Sequence, residues 1–296
     1  MSPPTERVRL PLTSAPLHED HEDPTAALRQ RARDWGLARL DAAPWAELRG
    51  RATLLLVDPP AVRWATAARY ATLWLLLENS EARALPPGRR GLVRAGSEHE
   101  RVPAAGDAPE VVFSVFTLER MQGLLQGAGR RSLETRWRIR HAEPLHDPLR
   151  RQEQLSSAAL QLPDDALERI ARPLFLQLHA TIEGLRAAAA ERPAEAVILA
   201  GEAAGALCRL ACALDSGMHP PPAWLLPAAA GTELGARLTS WLDDLPRMLA
   251  GDEAAGRRVA EGCDAVERAA AAALRPHFDG ADWLRTPEAY ALRAPR

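Results

Sequence analysis

From residue 163 onward the chain has one character, and that stretch limits what it can fold into more than any other. Leu167, Ile170, Ala171, Leu174, Leu178, Ile182 and Leu185 recur at the spacing of one helix face. Asp164 and Asp165 supply its cap, and Pro173 either kinks it or begins a second helix. Pro193 opens the next helix, which runs to about Asp215 and ends in Ser216-Gly217-Met218-His219 and three prolines. Helices over 223–230, 233–249 and 253–275 follow, with Gly251-Asp252 as stop and cap. Elements of this length with short connections predict an antiparallel all-α bundle of four or five helices. The segment Ala194–Leu214 is apolar nearly all round and is expected at its centre.

The first half reads differently. Residues 1–24 are rich in Pro, Thr, Ser and acid and read as a tail; its His18-Glu19-Asp20-His21-Glu22-Asp23 tract reads as a solvated acidic segment. Ala26–Trp35 predicts a short helix, and Gly36-Leu37-Ala38-Arg39 a turn after it. Thr53–Val57 is a wholly apolar run stopped by Asp58-Pro59-Pro60, as a buried strand would be. Ala65, Ala68, Leu73, Leu76 and Leu77 suggest a helix over 62–79. Gly91–Gly96 and Glu110–Thr117 read as two arms of a β-ribbon around a loop carrying Asp107. Helices over 118–125 and 132–141 come next, then a strand end and turn at Ala142–Pro148. The expected fold is α+β. A small mixed-sheet domain of three or four strands (25–158) precedes the helical bundle (159–296).

Charge and residue usage narrow the function classes. A net charge of −2 gives no global attraction to nucleic acid, which is therefore not an expected partner. There is no lysine, so no lysine can serve as a Schiff base or phosphate clamp. The one dense basic stretch is 130–151; its arginines could meet phosphate, or lie solvated beside Glu134 and Glu143. Cys208, Cys212 and Cys263 are too few for a disulfide framework, and the first two share a helix face as small core residues. Met1–Leu17 lacks the apolar segment of a signal peptide, and Glu195, Glu202 and Arg209 interrupt the most apolar helix. The expectation is a soluble cytoplasmic protein with no membrane partner. His141, His146 and Asp147 with Glu143 read as a turn before they read as a metal or acid–base group. Arg172 and His179 have the spacing of HEPN-related helical nucleases, with Pro173 interrupting the turn between them.

The stretch Trp35–Val57 resembles the entry to the DNA polymerase β-like nucleotidyltransferase superfamily, in which a Gly-Ser turn leads to a strand bearing two acids one residue apart. Glu110–Arg120 resembles the later strand and helix of that fold, and Arg140–Pro148 the turn that closes it. Met218–Leu226 resembles a Pro-Pro-Trp segment of related helical C-terminal domains. The resemblance implies an α+β fold with a helical C-terminal domain. It also implies transfer of a nucleoside monophosphate from a triphosphate through magnesium held by carboxylates, because a hard cation needs oxygen ligands.

Laid on that pattern, Gly36 falls at the glycine, Leu37 at the serine and Arg39 at the usual Ala-Arg pair, while Arg51 and Thr53 fall where the paired acids belong. Only Glu110 would remain of the three carboxylates. A second alignment takes Gly96-Ser97 as the Gly-Ser pair, with Asp107 and Glu110 as acids. Their spacing of three puts them on opposite faces of a strand. The candidate catalytic residues are thus Glu110 and Asp107, the candidate nucleotide-binding residues Gly36, Arg39, Gly96 and Ser97, and no metal ligand set is expected. The leading reading is a degenerate member that binds a nucleotide or a protein partner. An active nucleotidyltransferase using magnesium and a nucleoside triphosphate, and a non-enzymatic helical scaffold, are the alternatives. Oligomeric state is open.

Overall fold

The computed structural model describes residues 26–57, 70–86, 100–102, 110–163, 165–188 and 192–291. The first half is built on a five-stranded mixed sheet, one strand more than the upper expectation. Its strands are β1 (Thr53–Val57), β2 (Tyr70–Leu77), β3 (Glu100–Val102), β4 (Glu110–Thr117) and β5 (Glu143–His146), in the spatial order β3-β4-β2-β1-β5. β1 is antiparallel to both β2 and β5, β2 runs parallel to β4, and β3 is antiparallel to β4 at the edge.

Helices cover both faces, which is why the central strands are continuous apolar runs. On one face Leu54, Leu56, Leu73 and Leu75 pack under Leu28, Ala32 and Leu40 of α1 (Ala26–Leu40). On the other, Leu55, Val57, Trp74 and Leu76 meet three helices: α3 (Leu118–Gln126), α4 (Arg130–His141) and α5 (Arg151–Ala159). Helix α2 (Asn79–Ala84) follows β2 directly, its start fixed by a reciprocal Glu78–Glu81 capping box.

Two expectations are corrected here, and a third falls outside the described residues. Residues 70–77 form the strand β2, not the end of a helix; 62–69 lie outside the described residues. Leu73, Leu76 and Leu77 fit a helical period, yet Ala71 to Leu77 are all buried, and periodicity cannot tell a strand buried on both faces from a helix. Glu100–Val102 is antiparallel to β4 on the edge opposite β2, and the expected arm Gly91–Gly96 lies outside the described residues. Finally, α1 does not stop at Trp35. It continues through Gly36, Leu37, Ala38 and Arg39, so the expected turn is helix. Gly36 is a packing glycine: a Cβ there would lie 2.9 Å from both Leu54 Cδ2 and Leu73 Cδ1, so its absence lets the helix sit close on the sheet.

Arg136 on α4 holds three helices together. It is wholly buried, and its guanidinium donates to Ala159 O at 2.9 Å, Gln161 O at 3.1 Å and Leu125 O. These carbonyls close α5 and α3, where helix ends leave acceptors unpaired and cations are favoured.

The second half is helical, as expected. α6 (Ala166–Ala188) runs unbroken through Pro173 and packs along α7 (Pro193–Ser216). Around them lie α8 (Pro222–Ala230), α9 (Glu233–Arg237), α10 (Thr239–Leu249), α11 (Glu253–Phe278), α12 (Asp282–Arg285) and α13 (Pro287–Ala291). The single helix expected over 233–249 is two, split at Leu238. Asp252 caps α11 by accepting from Ala255 N at 3.0 Å. Within α7 the span Ala194–Ser216 has the length to cross a membrane, and its most apolar 18-residue window, of mean hydropathy 1.7, is half buried against its neighbours. Cys208, Cys212 and Cys263 are free and buried in this core.

Candidate functional site

The end of the sheet where β1 begins and β2 finishes is the corner that the paired acids would occupy. Thr53 and Leu76 are partners there, so Glu78 and Glu81 follow immediately on the neighbouring strand's continuation. β5 ends beside it and delivers Asp147. Three carboxylates and two arginines, Arg51 and Arg151, gather at this corner.

Every carboxylate in it is already engaged. Asp147 Oδ1 accepts from Thr53 Oγ1 at 2.9 Å and from Arg151 N at 2.9 Å, and Oδ2 accepts from Gln152 N at 2.8 Å. Asp147 therefore receives the first two amides of α5, the work of a helix cap. Glu78 Oε1 accepts from Arg151 Nη2 at 2.8 Å, and Arg151 also donates to the carbonyl of Arg51. Glu81 is 4% exposed; it accepts from Glu78 N at 2.8 Å and pairs with Arg51 Nε at 3.4 Å.

This arrangement does not fit a pair of magnesium ions. A metal of that kind needs carboxylate oxygens converging on one point, and here they diverge to separate arginines and amides. Among the described residues no three imidazoles, thiols or carboxylates form a metal-holding group. The corner is an internal polar network that ties β1, β2, α2, β5 and α5 together. Glu81 and Arg151 are the buried members of these pairs, while Arg51 and Glu78 are largely exposed, so solvent screens each pair and a single truncation costs well below the figure for a fully buried ion pair.

The candidate residues read from the sequence do not converge on this corner. Glu110 opens β4 opposite Tyr70, while Thr53 sits opposite Leu76. Tyr70 and Leu76 are six residues apart along β2. At about 3.3 Å per residue Glu110 therefore lies roughly 20 Å from Thr53, at the other end of the sheet. Glu110 cannot complete a metal site with positions 51 and 53. Gly36 is buried inside α1 under Leu54 and Leu73, and Arg39 is half-buried in its last turn. Gly96, Ser97 and Asp107 lie outside the described residues.

The other constellations separate as well. His179 bonds Glu267 Oε1 through Nδ1 at 2.5 Å, whereas Arg172 lies over the Tyr290 ring at 5.0 Å, so the two form no joint site. His141 Nδ1 is bonded to Trp137 O at 2.8 Å and His146 Nε2 to Arg49 O at 2.7 Å, each serving the backbone around the turn. The 130–151 arginines divide: Arg136 and Arg151 are buried and structural, and Arg138 lies 5.8 Å from the Trp74 ring.

Sequence reading missed Glu78, Glu81 and Arg151. The Glu78-x-x-Glu81 spacing of a capping box was a usable signal, hidden by assigning 62–79 to a helix. The pairing of Arg151 with Glu78, far apart in sequence, had no local signal at all.

No protein-family model matches the chain, and no curated protein is similar to it. Among solved structures it is similar to a nucleotidyltransferase-like protein from Exiguobacterium sibiricum 255-15, at 12% identity and a TM-score of 0.42, over 81% of this chain and 78% of that one. The likeness is distant, and neither substrate nor activity follows from it.

Proposed function

We propose that this protein is a binding protein on a nucleotidyltransferase-like frame, one that holds a nucleotide or a protein partner and does not transfer nucleotidyl groups. The observation that carries the reading is the occupied corner. Arg51 and Thr53 stand where the resemblance puts the metal-binding acids, and Arg51 is paired with Glu81 while Thr53 donates to Asp147. Two-metal transfer needs carboxylates free to bind cations, and these are committed to arginines and to the amides of α5.

The test is incubation of the protein with each radiolabelled nucleoside triphosphate and magnesium or manganese, alone and with cell extract as acceptor. Pyrophosphate release and covalent label are both followed, and the expected result is neither. Metal-dependent transfer that is lost in Glu81→Gln or Asp147→Asn, with the fold verified by circular dichroism, would overturn the reading.

A further inference from the structure

A cleft of about 350 Å³ lies between the start of α4, helices α6 and α7, and the turn into α8. Its lining mixes the apolar Leu133, Ile170 and Leu174 with Arg130, Arg169, Arg209 and His219.

Two of the arginines have partners. Arg130 Nε donates to Glu134 at 2.8 Å, and Arg169 pairs with Asp165 at 3.3 Å. Arg209 has no hydrogen bond or ion pair among the described residues, although it is half-buried. Burial first, and the nearby charge of Arg130 next, lower its pKa from the ordinary arginine value, with the Glu134 carboxylate acting against them. Glu134, bonded to Arg130, is the nearby carboxylate, but it makes no direct pair with Arg209, so a partly desolvated cation beside a second cation still gains from an anion that does.

His219 is the second, independent observation. It is 1% exposed and lines the cleft, its Nδ1 is bonded to Pro220 O at 2.9 Å, and its Nε2 has no hydrogen-bond partner among the described residues. The carbonyl of Pro220 can only accept, so Nδ1 carries the proton. Burial above all keeps the ring below its ordinary pKa; the Pro220 bond and Glu134 act against that, and Arg209 and Arg130 with it. With Nδ1 protonated, Nε2 is left as an acceptor on a residue that lines the cleft, where a ligand hydroxyl would suit it. The same cleft also receives the first turn of α4, twelve residues long, whose N-cap is Gly129 with no side-chain cap and no acid in its first turn. Its unpaired amides add partial positive charge.

From this we infer that the cleft binds the phosphoryl group of a small hydroxyl-bearing phosphate monoester, a sugar phosphate or a nucleoside monophosphate. Arg209 and Arg130 pair with its oxygens, His219 Nε2 accepts a ligand hydroxyl, and Leu133 and Leu174 cover the rest of the molecule. Arginine suits this task because its fork matches phosphate oxygens. The volume is in the range of small-ligand sites, roughly 300–1,000 Å³. The inference rests on the binding half of the function proposed above and not on the absence of transfer, so the two fail separately.

The test is calorimetric titration of the full chain at low salt with inorganic phosphate, AMP and glucose 6-phosphate, and with adenosine and glucose as phosphoryl-free controls. At least one phosphorylated compound is expected to bind at one site, at least tenfold tighter than its control. AMP ahead of glucose 6-phosphate would identify a nucleotide as the source, and the reverse a sugar phosphate. Arg209→Gln should weaken that binding about tenfold or more and His219→Phe severalfold, while Arg131→Gln, on the exposed side of α4, leaves it unchanged. Matching melting temperatures would show that the variants fold. Absence of binding by all three phosphorylated compounds, equal binding of the controls, or binding indifferent to a folded Arg209→Gln would overturn the inference.

Discussion

Placing an acid at position 53 is the sharpest test of the closed corner. Thr53 is fully buried, and its hydroxyl donates to Asp147 Oδ1 at 2.9 Å. In Thr53→Asp a donor becomes a second carboxylate facing the first. Like charges about 4 Å apart at an effective dielectric of 20 repel by about 4 kcal/mol. The lost charge-assisted hydrogen bond adds about 1.5–3 kcal/mol. Thr53→Val loses the hydrogen bond but adds no charge, so subtracting its effect isolates the repulsion. Urea unfolding at pH 7.5 should therefore place Thr53→Asp about 3–4 kcal/mol below Thr53→Val, a large share of a typical 5–15 kcal/mol total.

The gap should also depend on pH. A carboxyl facing a carboxylate has its folded-state pKa raised above the unfolded value of about 3.9. The penalty is then absent below the unfolded pKa and grows as pH rises toward the folded one, so it should narrow by pH 4.5. A Thr53→Asp protein as stable as Thr53→Val at pH 7.5 would refute the reasoning. So would magnesium restoring its stability, because the corner would then be a metal site lacking only its acid.

Two further outcomes follow from the same structure. Arg136→Met removes the buried guanidinium that satisfies the carbonyls of Leu125, Ala159 and Gln161 and should cost about 2–4 kcal/mol in chemical denaturation; the recovered desolvation of the charge offsets part of the lost bonds. An unchanged unfolding midpoint would show that those helix ends need no cation. Burial pushes the Cys208 and Cys263 thiols up to about 11 and Cys212 higher still, so at pH 8 all three are protonated and poorly nucleophilic in the folded chain. Ellman's reagent should react slowly with the native protein and with all three thiols once it is unfolded; fast native labelling would contradict this packing.

Much of the architecture was legible in the sequence because local patterns determine it. The five-residue apolar run of β1 ends at Val57 as read, and Pro193 and Asp252 begin their helices where proline and a capping acid favour a start. The α+β class, with a helical second half, follows from those periods. Local pattern failed where burial is two-sided or where a residue's role depends on what crosses above it. Tyr70–Leu77 satisfies a helical period and a buried strand equally, and β1 and β4 on either side decide for the strand. Gly36 reads as a turn glycine until Leu54 and Leu73 are seen against it.

The grouping of the candidate site residues belongs to the tertiary structure alone. The sequence shows that positions 51 and 53 lack acids, because residue type is local. It could not show that Glu78, Glu81 and Asp147 gather beside them, since strand order brings together residues 94 apart in the Thr53–Asp147 bond and 100 apart in the Arg51–Arg151 bond. Nor could it show that Glu110 lies at the sheet's far end, which parallel pairing with β2 decides. Arg130, Arg209 and His219 likewise sit on segments with no shared motif and line one cleft only because α4 packs against the helical half. Side-chain chemistry is written residue by residue; proximity is a property of the folded chain.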